Sequence, residues 1–422
     1  MLRRKPRKLL RAGARRDRRD DALPPRRGGS ARLPRYCKGG MDARVPRASH
    51  HMHRRRLLRW PWRCGALLAV VVGCAALAAA QEPTPAPESE SPSAAAEELG
   101  EAPILAVGPI EYRPGRGLHL GPSGLTVGGF TNVKAEYTED LHGEFALDLL
   151  NFFVIFDKIP RFRAVAELQL KDIFSASSDG VGTQDFAFDV RRLFGDFTVT
   201  DALHVRVGTF LTPVGYWNLI LAPPLTWTTE APVIVEETFF QETTTGVMAY
   251  GAGALGPGFL NYAVFSQLVQ PLADDPDLTP PDLTAGARLV YDTGPTWSAG
   301  ATFQAAEAEG GWTQLGALHT VWQPSHGEVI AELYAQGGGA LPSTQWGTYL
   351  QGTLEVWGPF YAVGRYEYYA PPTPAASVNL FTIGGVAKPY PFMAVKMEYR
   401  FADHSLADSG VSGFFASFTT FF

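Results

Sequence analysis

The sequence predicts an all-β chain: a transmembrane antiparallel up-and-down β-barrel of about 16 strands, with its third long loop folded inward. Three observations lead there. An export signal precedes the folded part, apolar and polar residues alternate with a period of two from residue 118 on, and the connections switch between tight turns and long loops.

The 422-residue chain carries 37 Lys+Arg against 42 Asp+Glu, but that balance is local. Residues 1–80 hold 22 basic and 4 acidic side chains, whereas residues 81–422 hold 15 and 38, a net charge of −23. Residues 1–51 are a basic, low-complexity stretch of Arg and Pro. Such a stretch can be a nucleic-acid-binding arm, but here it lies upstream of an export signal. A mis-assigned start is the preferred reading, with no nucleic-acid partner. Residues 52–80 form the signal peptide: a basic "MHRRRLLRWPWR", an apolar "GALLAVVVGCAALAAA", and cleavage between Ala80 and Gln81. The apolar run is short for a spanning helix. "RRRLLR" resembles a twin-arginine signal, though that route carries folded cargo, and "VVGC" at Cys74 resembles a lipoprotein box. The 3 cysteines, Cys37, Cys64 and Cys74, all precede the cut. The mature chain then has no disulfide, thiolate metal site or cysteine nucleophile. Residues 81–117 have the composition of an acidic Pro/Ser/Glu-rich linker, and residues 118–422 are assigned to the barrel.

Within the barrel, "GLTVGGFTNVKAEY" sets Leu125, Val127, Val133, Ala135 and Tyr137 against Thr126, Asn132, Lys134 and Glu136. "RFRAVAELQLK" sets Phe162, Ala164, Ala166, Leu168 and Leu170 against Arg163, Glu167, Gln169 and Lys171. "ALHVRVGTF" and "FMAVKMEYRF" repeat the pattern, with His204 and Arg206 on one polar face and Lys396, Glu398 and Arg400 on the other. The closing run "GVSGFFASFTTFF" puts Phe414, Ala416, Phe418, Thr420 and Phe422 on one face. A terminal aromatic resembles the signal by which the outer-membrane barrel assembly machinery takes up its substrates. Tight turns fall at 159–160, 200–202, 256–258, 293–295, 323–325, 358–359 and 388–391. Longer loops fall near 139–143, 174–184, 211–241, 268–283, 305–311, 337–344, 370–378 and 402–412. Tyr137, Trp297, Trp312, Trp322, Trp346, Trp357, Tyr368 and Tyr369 cluster near strand ends, where interfacial girdles belong. A soluble all-β protein also alternates, but it has no use for long charged side chains along nearly every polar face together with an apolar face that runs to the last residue.

A barrel of this size is too wide for side chains alone to fill, so function depends on what narrows it. The longest loop, "LTPVGYWNLILAPPLTWTTEAPVIVEETFFQ" (211–241), is rich in apolar residues, among them Trp217, Leu219, Ile220, Trp227, Val233 and Ile234. Packing on the inner wall or on a neighbouring subunit would account for them. "RVGTFLTPVGYWN" followed by "TTTGVMAYG" resembles the phosphate-selective porin O/P-like family. The resemblance implies a sixteen-stranded porin, a homotrimer, passing small solutes by diffusion. Its phosphate preference is not carried over, because residues 208–287 contain no Lys or Arg while holding Glu230, Glu236, Glu237, Glu242, Asp274, Asp275, Asp277 and Asp282.

The residues expected to line the pore are Lys134, Glu136, Arg163, Glu167, Lys171, Arg206, Arg288, Arg365, Glu367, Lys396, Glu398 and Arg400. Tyr216, Trp217, Trp227, Glu230, Glu236 and Glu237 belong to the constriction. Pairs on one strand face, such as Lys134 with Glu136 or Arg365 with Glu367, either brace the wall or set a transverse field with Arg163, Arg206 and Arg288 facing the loop acids. With a net charge of −23, cations or neutral polar solutes should pass more readily than phosphate. The mature histidines, His119, His142, His204, His319, His326 and His404, lack metal-ligand spacing, and no nucleophile motif is present. No enzyme activity, metal or cofactor is expected; the expected partners are outer-membrane lipid and small hydrophilic solutes or ions. A phosphate or hydrophobic-solute channel and an adhesin are the alternatives.

Overall fold

The computed structural model describes residues 105–138, 143–177, 180–182, 186–236, 240–270, 281–308, 311–339, 341–373, 377–403 and 412–422. The upstream stretch, the signal with Ala80 and Gln81, and Glu237 of the long loop lie outside them.

Among the described residues, 20 strands form one sheet. Four are short: β1 (Leu105–Val107), β2 (Ile110–Arg113), β3 (Gly117–His119) and β7 (Gly180–Gly182). The wall consists of β4 (Leu125–Thr138), β5 (Glu144–Phe156), β6 (Phe162–Ser177), β8 (Ala187–Thr200), β9 (Leu203–Leu211), β10 (Thr243–Leu255), β11 (Gly258–Gln267), β12 (Leu283–Asp292), β13 (Trp297–Ala308), β14 (Gly311–Trp322), β15 (Gly327–Gly338), β16 (Gln345–Trp357), β17 (Phe360–Ala370), β18 (Val378–Tyr390), β19 (Met393–Ala402) and β20 (Gly413–Phe421). Each pairs antiparallel with its neighbours, and β20 returns to β4 with Phe421 opposite Phe130, so a ring of sixteen strands closes without a free edge. Connections 157–161, 201–202, 256–257, 293–296, 323–326, 358–359 and 391–392 lie at one rim. The longer ones lie at the other rim. The loop expected over 305–311 is reduced to residues 309–310, because β13 and β14 stay paired as far as Ala308 opposite Gly311.

The burial pattern separates this barrel from a soluble sheet. On β19 the apolar Val395, Met397, Tyr399 and Phe401 are exposed, while Lys396, Glu398 and Arg400 are buried. Leu318, Leu350, Phe381 and Ile383 on other strands are likewise exposed. In water that arrangement would forfeit the hydrophobic driving force; in lipid it satisfies it. The ring is closed, so the face opposite the apolar band points inward. A sixteen-stranded antiparallel barrel of this kind is a protein of the Gram-negative outer membrane. Trp346 and Tyr368 stack outside at the long-loop rim, 4.7 Å apart. Tyr369, expected beside them in the girdle, points inward and is buried, donating its hydroxyl to Gln345.

Two further features depart from simple alternation. Between β6 and β8 the register shifts at Glu167 and Leu168, so that Glu167 faces Arg192 and Leu168 faces Val190. This bulge lets the consecutive Arg191 and Arg192 both bond side chains of the polar face. Residues 105–117, read as the end of the linker, carry β1 and β2 and begin β3, which pairs with β4 at Val127 and Thr126. β3 takes up the β4 edge where the chain ends: Phe422 exchanges main-chain bonds of 2.9 and 3.0 Å with Gly129. Any side chain at 129 would run into the Phe422 ring at 2.7 Å.

Candidate functional site

The segment 212–242, between β9 and β10, organises the interior. Its base is closed by the Thr212 N–H donating to the Glu242 carbonyl at 2.9 Å and by Asn218, whose amide donates to the Thr212 and Glu242 carbonyls. From there it runs across inward faces of the wall from β13 to β4. Thr302 of β13 donates to the Pro213 carbonyl. At β15 the Glu332 carboxylate accepts the Tyr216 and Trp217 N–H groups, both at 2.8 Å, and the hydroxyls of Tyr334 and Tyr349 at 2.7 and 2.6 Å. Gly215 takes a φ of 64° and lies so close to Tyr334 and Glu332 that a Cβ would collide with both.

The chain next reaches the tight-turn rim. Trp227 donates its indole N–H to Glu328 at 2.7 Å, packs on Tyr361, and lies under the Lys388 ammonium, 3.6 Å from the ring centroid. Lys396 spends its three donors on the Pro223 carbonyl, the Thr226 hydroxyl and the Thr228 carbonyl, at 2.7, 2.7 and 2.9 Å. Turning back, Thr229 and Glu230 give their N–H groups to Glu398 at 2.8 and 3.2 Å. Arg365 holds Glu367 at 2.6 Å and reaches the Thr228 hydroxyl and the Glu230 and Ala231 carbonyls. Lys134 pairs with Glu230 at 2.7 Å. Pro232 then opens the single helical turn α1 (Val233–Glu236), whose first N–H goes to Glu367 at 2.6 Å. Its last residue, Glu236, lies 3.9 Å from Arg400.

Apolar packing supports these bonds. Val214, Trp217, Val233 and Ile234 of the segment are buried with Leu315, Ile330, Tyr349 and Leu380 of the wall. Within the segment, burial and the nearby Glu328 and Glu332 raise the Tyr216 hydroxyl above its ordinary range. Burial would raise Glu230 too, but Lys134 and Arg400 outweigh it and hold the carboxyl low. Glu236 is pushed up to about 7, by burial first, with Glu230 and Glu367 adding to it and Arg400 opposing.

The wall from β5 to β9 is built differently. Here charges pair with one another: Arg192 with Glu167 at 2.5 Å, Lys171 with Asp189 at 3.0 Å, and Arg206 with Asp196 through two bonds of 2.7 and 2.8 Å. In each pair the cation is the more exposed partner, at 30% against 2%, 36% against 17%, and 22% against 12%. Arg191 reverses the order, lying deep while its partner Glu242 is exposed. Arg163 is exposed and has no ion pair among the described residues.

The expected pore residues therefore divide. Arg365, Glu367, Lys396 and Glu398 are buried against the segment, as are Trp217 and Trp227 in whole or part. Of the pairs expected along one strand face, Arg365 with Glu367 forms, whereas Lys134 reaches across to Glu230 and Glu167 takes Arg192. Arg206 and Arg288 do not face loop acids: Arg206 holds Asp196, and Arg288 lies 3.4 Å from the His319 ring nitrogen. Arg191, Arg192, Glu328 and Glu332 were not anticipated. Glu332 was within reach, since alternation along β15 puts Glu328, Ile330, Glu332 and Tyr334 on one face; the two arginines were not, because the bulge leaves no mark in the sequence.

No protein-family model matches this sequence, and a search of curated proteins finds no match. Solved structures do resemble the fold. OmpF of Salmonella typhi, in complex with daunomycin, superposes with a TM-score of 0.51 at 9% identity, covering 71% of this chain and 98% of that one. OmpT of Vibrio cholerae, expressed in the outer membrane, gives 0.51 at 9% identity, covering 76% and 100%. An anion-selective porin from Comamonas acidovorans gives 0.49 at 14% identity, covering 71% and 99%.

Proposed function

We propose that this porin-like barrel is a passive diffusion channel of the outer membrane for small polar solutes and ions, with segment 212–242 as its constriction and no cofactor. The supporting observation is the asymmetry of the inward wall. From β13 to β20 the segment covers the charged faces; from β5 to β9 the cations Lys171, Arg192 and Arg206 of the paired charges stay part-exposed on a face that points into the barrel. A wall of paired, partly hydrated charges suits solutes that cross without shedding their water, and it favours transport over catalysis or display.

Charge preference follows from two opposed terms. The net charge of −23 past residue 80 favours cations at long range, as expected from the sequence. A second reading, an anion-preferring channel, is favoured by the exposed ends of Arg163, Lys171, Arg192 and Arg206. Salt separates the two, because the screening length falls from about 30 Å at 0.01 M to about 3 Å at 1 M. Reversal potentials in planar bilayers should show a modest cation preference in dilute salt that shrinks in concentrated salt. A chain that produces no conductance steps is not a channel, and strong anion preference at every salt concentration decides for the second reading. Assembly as a homotrimer, and Phe422 as the mark read by the assembly machinery, belong to the same proposal. Cross-linking in native membranes tests the first, and insertion of a chain truncated before Phe422 tests the second.

A further inference from the structure

Between Arg206 and Arg365 the sequence holds one Lys or Arg, and that is Arg288 of β12. It points inward, because it reaches the His319 ring, on which Tyr216 of the segment stacks at 6.2 Å. The pairing ladder fixes its surroundings. Ala263, Arg288, Thr302 and Ala317 lie in one row across β11 to β14. The next row toward the long-loop rim runs Phe265, Gly286, Gln304 and Leu315; the next toward the tight turns runs Asn261, Val290, Gly300 and His319. These rows hold no carboxylate. The nearest along them is Glu332 of β15, opposite His319, and its oxygens are already taken by four donors.

The cation thus has small neighbours in its own row and a ring in the row on either side. A Cβ at Gly286 would meet the Phe265 ring at 2.6 Å, and one at Gly300 the His319 ring at 2.3 Å, so both glycines make room for the rings. Among the described residues the guanidinium has one hydrogen-bond contact, the 3.4 Å approach of Nη2 to His319 Nε2. A guanidinium only donates, so Nε2 accepts and the imidazole proton sits on Nδ1. That Nδ1 and the Arg288 Nε are shielded from water and have no partner. His319 is 5% exposed, whereas Arg288 keeps part of its surface open to the lumen. Other inward cations are satisfied: Arg192 and Arg206 hold carboxylates, and Lys396 holds carbonyls. A part-buried charge left without acceptors is costly, and an incoming anion would relieve it.

We propose that Arg288 is a binding site for one small carboxylate passing through the lumen. The planar guanidinium fork matches the two oxygens of a carboxylate. One charge with no second Lys or Arg in the surrounding rows suits a monoanion, and would leave part of a dianionic phosphate unneutralised. Retention at one residue is separate from the bulk charge preference, which the field of the whole lumen sets. The inference rests on the channel reading, since the solute must reach the lumen.

The test is NMR of carbon-13-labelled acetate with the full mature chain in detergent micelles, beside Arg288→Gln, and planar-bilayer recording of the wild type. The wild type should broaden the acetate line saturably, and Arg288→Gln several-fold less. In bilayers, wild-type conductance should level off with rising potassium acetate and keep climbing with potassium chloride. Equal broadening by wild type and Arg288→Gln overturns the proposal. So does displacement of the labelled acetate by phosphate or chloride at lower concentration than by unlabelled acetate, which would make the site one for another anion. Conductance steps without acetate binding sink the site and leave the channel standing; no conductance steps at all sink the channel reading, and the site with it. If Arg288→Gln does not fold, Arg288→Lys keeps the charge without the fork and should weaken the broadening by less; no change there counts against the proposal equally.

Discussion

The two halves of the inner wall answer the same problem differently. Both place charged side chains on inward strand faces, on β15, β17 and β19 in one and on β6, β8 and β9 in the other. From β15 to β19, Glu332, Glu367 and Glu398 satisfy their charge with five main-chain N–H groups of the segment, and Lys396 and Arg365 with its carbonyls. From β6 to β9, charge meets charge across neighbouring strands. The first half is covered by the segment; in the second the cations of the pairs stay part-exposed. A buried carboxylate without partners is costly, so the covered half depends on the segment as much as the segment depends on it.

The comparison can be broken at its strongest point. Glu332→Ala leaves two N–H groups and two tyrosine hydroxyls without their acceptor, at a cost on the order of 4 kcal/mol. The unfolding midpoint, read by heat-modifiable electrophoresis, should fall and conductance become noisy; a variant with wild-type behaviour would show that the segment is held otherwise. Lys396→Met keeps the length of the stem but removes three donors, and should cost about 2 kcal/mol with the same readout.

A pH scan sharpens the picture with a smaller effect. The Glu236 carboxyl is raised to about 7 in the folded chain, so its protonated form suits the folded state. That contribution is complete below the ordinary carboxylate range and is lost as pH rises through about 7. Protease protection of the segment should therefore decline across that window, and Glu236→Gln should flatten the decline. Smallest for stability is Arg163→Gln on the second half, within about 0.5 kcal/mol of wild type. Its effect should appear instead as a reversal potential shifted toward cations.

Most of the architecture was legible because it depends on local chemistry. Period-two runs and turn residues placed sixteen strands and both rims, and the apolar content of 211–241 pointed to packing on a wall. The partners of individual charges were not legible. Lys396 and Glu398 sit two residues apart and invite a pair, yet each bonds a stretch roughly 170 positions earlier in the chain. At these two positions the main-chain donors and acceptors delivered by a distant loop win over proximity on the strand, whereas Arg365 and Glu367 keep their pair and bond the segment as well. Arg191 and Arg192 escaped for a different reason: strict alternation assigns neighbours to opposite faces, and a single register slip cancels that rule.

Trp227 is held near one rim while Val233 and Ile234 return toward the other, so in the proposed channel the constriction would extend along the barrel instead of lying across it. A thin ring would grade molecules by girth alone. A corridor also grades them by how long they must stay confined, and so slender, flexible molecules should be delayed more than compact ones of equal width.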